Sequence, residues 1–207
     1  MKVTPLLLQL LLALSGAQAF LLPAKTHVSI KPLMAALTYP VNRSSPVGVG
    51  DIIEAGAANI VYVDDAGERV KSDAAALFAG KKVCVFAVPG AFTPTCSEKH
   101  LPGFVAQAEA LRAKGVDIIC CMSVNDAFVL KAWGQERGAT GITMVADGNG
   151  ELSAALGLLT DKSGSGMGAR SKRFAMVLND NKVDWIAVDE KGLAASSAEQ
   201  VLEHLGG

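Results

Sequence analysis

Beyond Asp51 the chain alternates short apolar runs with stretches of helical period, punctuated by Gly, Asn and Asp. Residues 60–63 (IVYV) read as a short strand and 64–67 (DDAG) as a turn. Ser72 or Asp73 then caps a short helix that Gly80 ends. Residues 82–88 (KVCVFAV) form a continuous apolar run, the pattern of a strand covered on both faces. From Cys96 to about Lys114, Leu101, Phe104, Val105, Ala108 and Leu111 share one side of a helix, and Gly115 stops it. Residues 116–122 predict a second buried strand, followed by a helix over 126–137 with Asn125 as its expected cap. Residues 142–146 predict a third strand, and a turn at 147–150 leads into a helix over 151–156. After a glycine-serine loop at 161–168, residues 174–178 and 183–188 pair as a hairpin across 179–182. Ser196 or Ser197 caps a last helix through Leu205. Strands alternating with helices and closing on a hairpin imply a mixed sheet between helices, an α/β fold.

The first 48 residues follow a different pattern. Lys2 precedes an apolar core, residues 6–14 broken only by Gln9, and Ala17-Gln18-Ala19 stands ahead of Phe20. That is the layout of a secretory signal peptide over residues 1–19. Nine residues cannot cross roughly 30 Å of hydrocarbon as a helix, so no membrane anchor is expected in the mature protein. Residues 20–48 are acid-free and rich in Ser and Thr, as in a transit peptide or linker. A Phe directly after the cleavage site resembles the bipartite leaders of plastid proteins; a secreted protein is the alternative. One domain, residues 49–207, remains.

Charge follows the same division. Residues 1–50 hold four of the 19 basic residues and none of the 20 acidic ones, so a cationic leader precedes an anionic body. A net charge of -1 gives no clustered cationic surface for nucleic acid. The 4 cysteines and 3 scattered histidines lack metal-ligand spacing, so neither a metal nor another cofactor is expected.

Candidate chemistry gathers in residues 89–96 (PGAFTPTC), which join the strand 82–88 to the helix beginning near Cys96. A thiol in the first turn of a helix faces unpaired N–H groups and the positive end of the macrodipole, and both favour the thiolate. Pro89 and Pro94 fix φ on either side of Phe92-Thr93. Thr93 brings a hydroxyl that can cap the helix, donate to the thiolate or donate to an oxygen-bearing substrate.

Three classes of thiol chemistry are open. A cysteine hydrolase needs a histidine base, and His100, one turn along, reads more readily as a surface or capping residue. A thioredoxin-type oxidoreductase needs C-x-x-C, which Cys96-Ser97-Glu98-Lys99 lacks. A peroxidatic thiolate needs no base, only donors that hold a peroxide in line with the sulfur. Of the other thiols, Cys84 sits mid-strand like a core residue. Cys120 and Cys121 are adjacent on a strand and point to opposite faces, so at most one approaches the Cys96 side.

Pro89, Thr93 and Cys96 form the signature P-x-x-x-T-x-x-C. With it, residues 89–104 (PGAFTPTCSEKHLPGF), 121–128 (CMSVNDAF) and 170–176 (RSKRFAM) resemble the type II, atypical two-cysteine, peroxiredoxins, over about residues 49–205. The resemblance implies a thioredoxin-like fold. It also implies a thiol peroxidase that reduces hydrogen peroxide and alkyl hydroperoxides to water and alcohols through a Cys96 sulfenic acid. In it Cys96 would be the peroxidatic cysteine, Thr93 and Arg173 would hold the peroxide oxygens, Pro89 would shield the sulfur from water, and Arg170 would add supporting charge. Cys121 takes the position resembling the second cysteine of plant-type relatives and is the candidate resolving thiol; mere packing in the sheet is its other reading. Glutathione, glutaredoxin or thioredoxin would restore the thiol, and the protein would form a homodimer. The alternative is a thioredoxin-fold redox-sensing or chaperone module that keeps the sulfur without turnover.

Overall fold

The computed structural model describes residues 43–64 and 66–206, all within one compact unit. The expected leader, residues 1–19 and 20–48, lies outside the described residues up to position 42. Chain ahead of the expected domain start at Val49 is already packed. Val47 is buried and its N–H donates to Leu156 O at 2.8 Å, while Arg43 pairs with Asp51 at 2.8 Å.

Among the described residues the order is β1 (Asn59–Val63), β2 (Arg69–Asp73), α1 (Ala74–Phe78), β3 (Lys82–Ala87), a π-helical turn (Cys96–His100) and α2 (Leu101–Ala113). There follow β4 (Ile118–Ser123), α3 (Ala127–Glu136), β5 (Thr143–Ala146), α4 (Glu151–Ala155), β6 (Leu159–Asp161), β7 (Ala169–Ser171), β8 (Arg173–Asn179), β9 (Lys182–Asp189) and α5 (Ala198–Gly206). Seven strands make one sheet in the order β2-β1-β5-β4-β3-β8-β9. Its centre, β5-β4-β3, is parallel and both flanks are antiparallel.

Side chains alternate strictly across β3, which explains its unbroken apolar run. Cys84 and Phe86 point into a core shared with α2, α3 and α5, whereas Val83, Val85 and Ala87 point into a second core under α1 and α4. Phe86 stacks on Phe104 of α2 with centroids 3.9 Å apart, both fully buried. Burial of each ring contributes roughly 1.5–3 kcal/mol. On β4 the alternation places Cys121 in the first core and Cys120 in the second, the division expected of adjacent thiols.

Local chemistry accounts for the ends of the elements. Asp73 caps α1, accepting the N–H groups of Ala75 and Ala76 at 2.9 and 3.3 Å. The turn between β8 and β9 has Asp180 at φ 48 and Asn181 at φ 66, the left-handed pair that matches the twist of a two-residue hairpin. Helix α3 is capped by Asp126, which takes the N–H groups of Phe128 and Val129, and so Asn125, the expected cap, is released for another role. Strand β2 (RVKSD) is not apparent from periodicity, because it lies at the sheet edge with little apolar surface. The ribbon of β6 and β7 is likewise too short and too polar to stand out.

Candidate active site

Strand β3 runs out through Val88 into the loop 89–93, and the following helix begins at Pro94, where a missing N–H is no loss. Two turns later Pro102 has no N–H for Glu98 O, and its ring would meet that carbonyl in a regular α-helix. The backbone widens instead, with Leu101 N–H bonded to Cys96 O five residues back. This wider turn directs Cys96, Ser97 and His100 all inward.

Cys96 is fully buried, with one guanidinium nitrogen beside it: Arg173 Nη2 donates to Sγ at 3.3 Å. Arg173 opens β8 and is only 8% exposed, so its position on an outer-looking strand end does not leave it in solvent. Its other terminal nitrogen donates to His100 Nδ1 at 2.9 Å, and His100 Nε2 lies 2.9 Å from Ser196 O. A guanidinium cannot accept, so Nδ1 is the acceptor and the proton sits on Nε2, donated to the carbonyl. Burial, reinforced by the charge of Arg173, pushes His100 down to about 4, against the opposing effects of Ser196 and Asp189.

His100 is therefore neither a surface nor a capping residue, as its sequence position had implied. Nor does it act as a hydrolase base, because both ring nitrogens are already committed. Its signal in the sequence was the four-residue spacing from Cys96, with Leu101 and Phe104 following on the same side.

Thr93 does not cap the helix through its side chain. Its hydroxyl donates to Gly90 O at 2.9 Å, while its own carbonyl takes the N–H of Ser97 at 2.9 Å. Pro89 is half-buried and lines, with Thr95, Thr160, Lys162, Lys172 and Arg173, a cleft of about 350 Å³. Residues 189–192 close its other wall.

Arg170 is not brought to the sulfur. Its Nε donates to Met167 O at 2.8 Å, and its Nη1 is 3.3 Å from both Val124 O and Asn125 Oδ1. Asn125 also accepts the N–H of Ala91 at 3.0 Å and the hydroxyl of Ser123 at 2.7 Å. Arg170 and Asn125 thus fasten the loop 89–92, and among the described residues Arg170 makes no hydrogen bond to the thiol. Within that loop Phe92 holds φ 61, a conformation non-glycine residues rarely adopt, and its ring lies 6.5 Å from that of Trp133.

All four cysteines are free and buried. Burial pushes Cys84 up to about 12 and drives Cys120 up further. Cys121 is also held well above the ordinary thiol range, by burial first and then by the neighbouring Cys96 and Cys120. Among the described residues no group of His, Cys, Asp or Glu is arranged to hold a metal.

A buried thiol at a helix start, answered by a buried arginine from the neighbouring strand of a mixed sheet, defines a redoxin-type thiol centre. The Redoxin family model matches residues 54–202. Peroxiredoxin-2B of Arabidopsis thaliana is 47% identical over 163 residues, covering 78% of this chain and 99% of that protein. Chloroplastic peroxiredoxin-2E of the same plant is 45% identical over 174 residues, covering 81% of this chain and 72% of its own length. Among solved structures, reduced Prx3 of Vibrio vulnificus in complex with hydrogen peroxide superposes with a TM-score of 0.72 at 46% identity, over 77% of this chain and 99% of the other. The chain belongs to the redoxin family and within it to the type II peroxiredoxins. Its fold is the thioredoxin-like fold of that family, and it is a thiol peroxidase that takes peroxides as substrates and a thiol as reductant.

Proposed function

We propose that Cys96 is the sulfur that attacks the peroxide, with Thr93, Arg173 and Pro89 as its partners. The 3.3 Å contact between Arg173 Nη2 and Sγ carries this reading, because it puts a fixed donor where the attacking sulfur and the departing oxygen share negative charge. The Cys96 thiolate forms an S–O bond with the nearer peroxide oxygen as the O–O bond breaks. The leaving alkoxide or hydroxide takes a proton, giving alcohol or water, and Cys96 becomes a sulfenic acid. Thr93, whose own proton is committed to Gly90 O, keeps lone pairs to accept the O–H of a hydroperoxide. Pro89 covers one wall of the approach without adding a donor. The Vibrio vulnificus relative in complex with hydrogen peroxide supports the same substrate here.

For recycling, a small anionic thiol such as glutathione suits the cleft. Lys162 and Lys191 line it and have no ion-pair partner among the described residues, whereas Lys172 is paired with Glu190 at 3.2 Å. The incoming thiol condenses with the sulfenic acid, releasing water, and a second thiol, from glutathione, glutaredoxin or thioredoxin, reduces the mixed disulfide. Cys121 is the second reading. It shares a core with Cys96, but its buried thiol is little ionised near neutrality, and bonding requires the helix start to unwind.

Exposed Phe92 and Phe128 are apolar surface beside the active-site loop and at the start of α3, and a homodimer would cover them. A leader removed at residue 19 and again before the domain, with delivery to a plastid, agrees with the chloroplastic name of the peroxiredoxin-2E relative. Sequencing of the mature N-terminus in the host tests that part.

Peroxide consumption with glutathione and glutaredoxin, by the wild type and by Cys96→Ser, tests the chemistry: the serine variant loses turnover, and equal rates would remove the assignment. Peptide mapping after one equivalent of peroxide then separates the two routes. Glutathionylated Cys96 with Cys121 free supports direct attack, and a Cys96–Cys121 disulfide supports the second reading.

A further inference from the structure

We propose that His100 is the positioning residue for Arg173, and that the segment 189–196 sets the geometry of the peroxidatic centre through it. The inference rests on the reading of Cys96 as the attacking sulfur. Asp189, at the end of β9, accepts the N–H groups of Ala194, Ala195 and Ser196 at 3.1, 2.8 and 3.2 Å and the hydroxyl of Ser196 at 2.5 Å. Four bonds to one carboxylate fix the Ser196 carbonyl. That carbonyl takes the Nε2 proton of His100, which turns Nδ1 toward Arg173, and Arg173 reaches the sulfur. The rings of Phe86 and Phe104, with centroids 5.1 and 5.5 Å away, set the tilt of the imidazole.

The choice of an imidazole has a chemical consequence. A carboxylate in the same place would hold Arg173 more strongly but would cancel its charge beside the sulfur. No carboxylate hydrogen-bonds to Arg173 among the described residues, and a neutral acceptor orients the guanidinium while leaving its charge for the departing oxygen. Beyond Asp189 and Arg173, the groups facing His100 are the two phenyl rings and the Ser196 carbonyl. Protonation of Nδ1 would remove the acceptor and set two cations against each other.

The test uses the full chain with His100→Leu, which deletes both ring contacts, and His100→Asn, whose amide oxygen stands close to the place of Nδ1. Two second-order rate constants are measured on each, for Cys96 with hydrogen peroxide and for Cys96 with iodoacetamide, a neutral alkylating agent that needs no oxyanion support. The expected result is a peroxide-to-iodoacetamide ratio about 10-fold lower or more in His100→Leu, the scale on which orienting partners act, with most of the loss recovered in His100→Asn. If His100→Leu fails to fold, Asp189→Ala replaces it. That variant keeps His100 and Arg173 but releases the carbonyl, and is expected to lower the same ratio. A ratio within twofold of the wild type in a folded Leu variant, an equal fall in Leu and Asn, or an unchanged ratio in Asp189→Ala overturns the proposal. Cys96→Ser stands apart as the control: if it still consumed peroxide at the wild-type rate, the reading of Cys96 itself would fail, whatever the histidine variants do.

Discussion

The side-chain oxygen of Asn125 takes the backbone N–H of Ala91 at 3.0 Å, across 34 residues of sequence. A single acceptor at the end of β4 therefore holds the loop on which Pro89 and Thr93 stand, and it shares Arg170 and Ser123 in the same grip. Replacing it leaves three donors without that partner. Asn125→Ala is expected to cost about 1–3 kcal/mol in urea unfolding. Peroxide turnover should fall further than that stability loss explains, and Asn125→Asp, which keeps the acceptor, should recover part of both.

Gly90 answers to the same loop. A Cβ there would stand 3.1 Å from Met167 Cε, 3.3 Å from Thr93 Cγ2 and 3.4 Å from Arg170 Nη1. Met167 can swing aside, but Thr93 and Arg170 are held by their hydrogen bonds. Gly90→Ala is expected to lower the unfolding free energy by about 1 kcal/mol and to slow Cys96 oxidation by displacing Thr93. Stopped-flow oxidation alongside thermal unfolding checks both halves.

Two buried groups oppose each other in the acid range. His100 is held at about 4 against an ordinary 6.5, so between those values the unfolded chain binds the extra proton, and stability falls as pH drops from 6.5 toward 4. Asp147 is pushed by burial from 3.8 up to about 6, despite the bonds from Ser153 and Leu152. There the folded chain binds the extra proton, and stability falls as pH rises from 3.8 to 6. Each effect amounts to about 3 kcal/mol, and over roughly pH 4–6 they offset one another. Denaturant titrations across that range should be nearly flat for the wild type. Asp147→Asn should expose the rising limb of His100, and His100→Asn the falling limb of Asp147; two flat variants would contradict both shifts.

Trp133 offers an optical reporter. It is fully buried on α3, and its Nε1 donates to Ser97 Oγ at 3.0 Å, directly beside Cys96 in the chain. Any change at the helix start on oxidation alters the surroundings of this indole. Of the 2 tryptophans, the other, Trp185 on β9, stacks on His204 with ring centroids 5.5 Å apart and is only partly buried. Emission should change on addition of one equivalent of peroxide, survive in Trp185→Phe and vanish in Trp133→Phe. The last substitution should also cost about 1–3 kcal/mol, because it strands the buried Ser97 hydroxyl.

Much of this architecture was legible in the sequence wherever one physical effect dominated. Continuous apolar runs marked β3 and β4 because both faces of the central sheet are covered, and the helical stripe of Leu101, Phe104, Ala108 and Leu111 marked α2 because one face is. Strand β2 was not legible, since an edge strand held by its ladder to β1 and by polar contacts of Arg69 and Asp73 needs no apolar pattern. At the site, Cys96 stood out by its position after a proline-rich loop. The assignment of Arg173 over Arg170 depended on family resemblance, and only geometry separates them: one reaches the sulfur and the other fastens a loop. Asn125 and His100 were misread for the same reason. Each had an ordinary local role available, cap or surface residue, and was drawn from it by partners distant in sequence.

The outermost strands carry a further consequence. The sheet ends on β2, which bears Arg69, Lys71 and Asp73, and on β9, which bears Lys182, Asp184 and Asp189 and whose first residues are already met by Ile52 and Asp51. Charged rims of this kind resist the addition of a further strand from another molecule, because each incoming backbone would bury an ion beside it. Two copies of the chain that meet edge to edge are thereby discouraged from extending one sheet into the next.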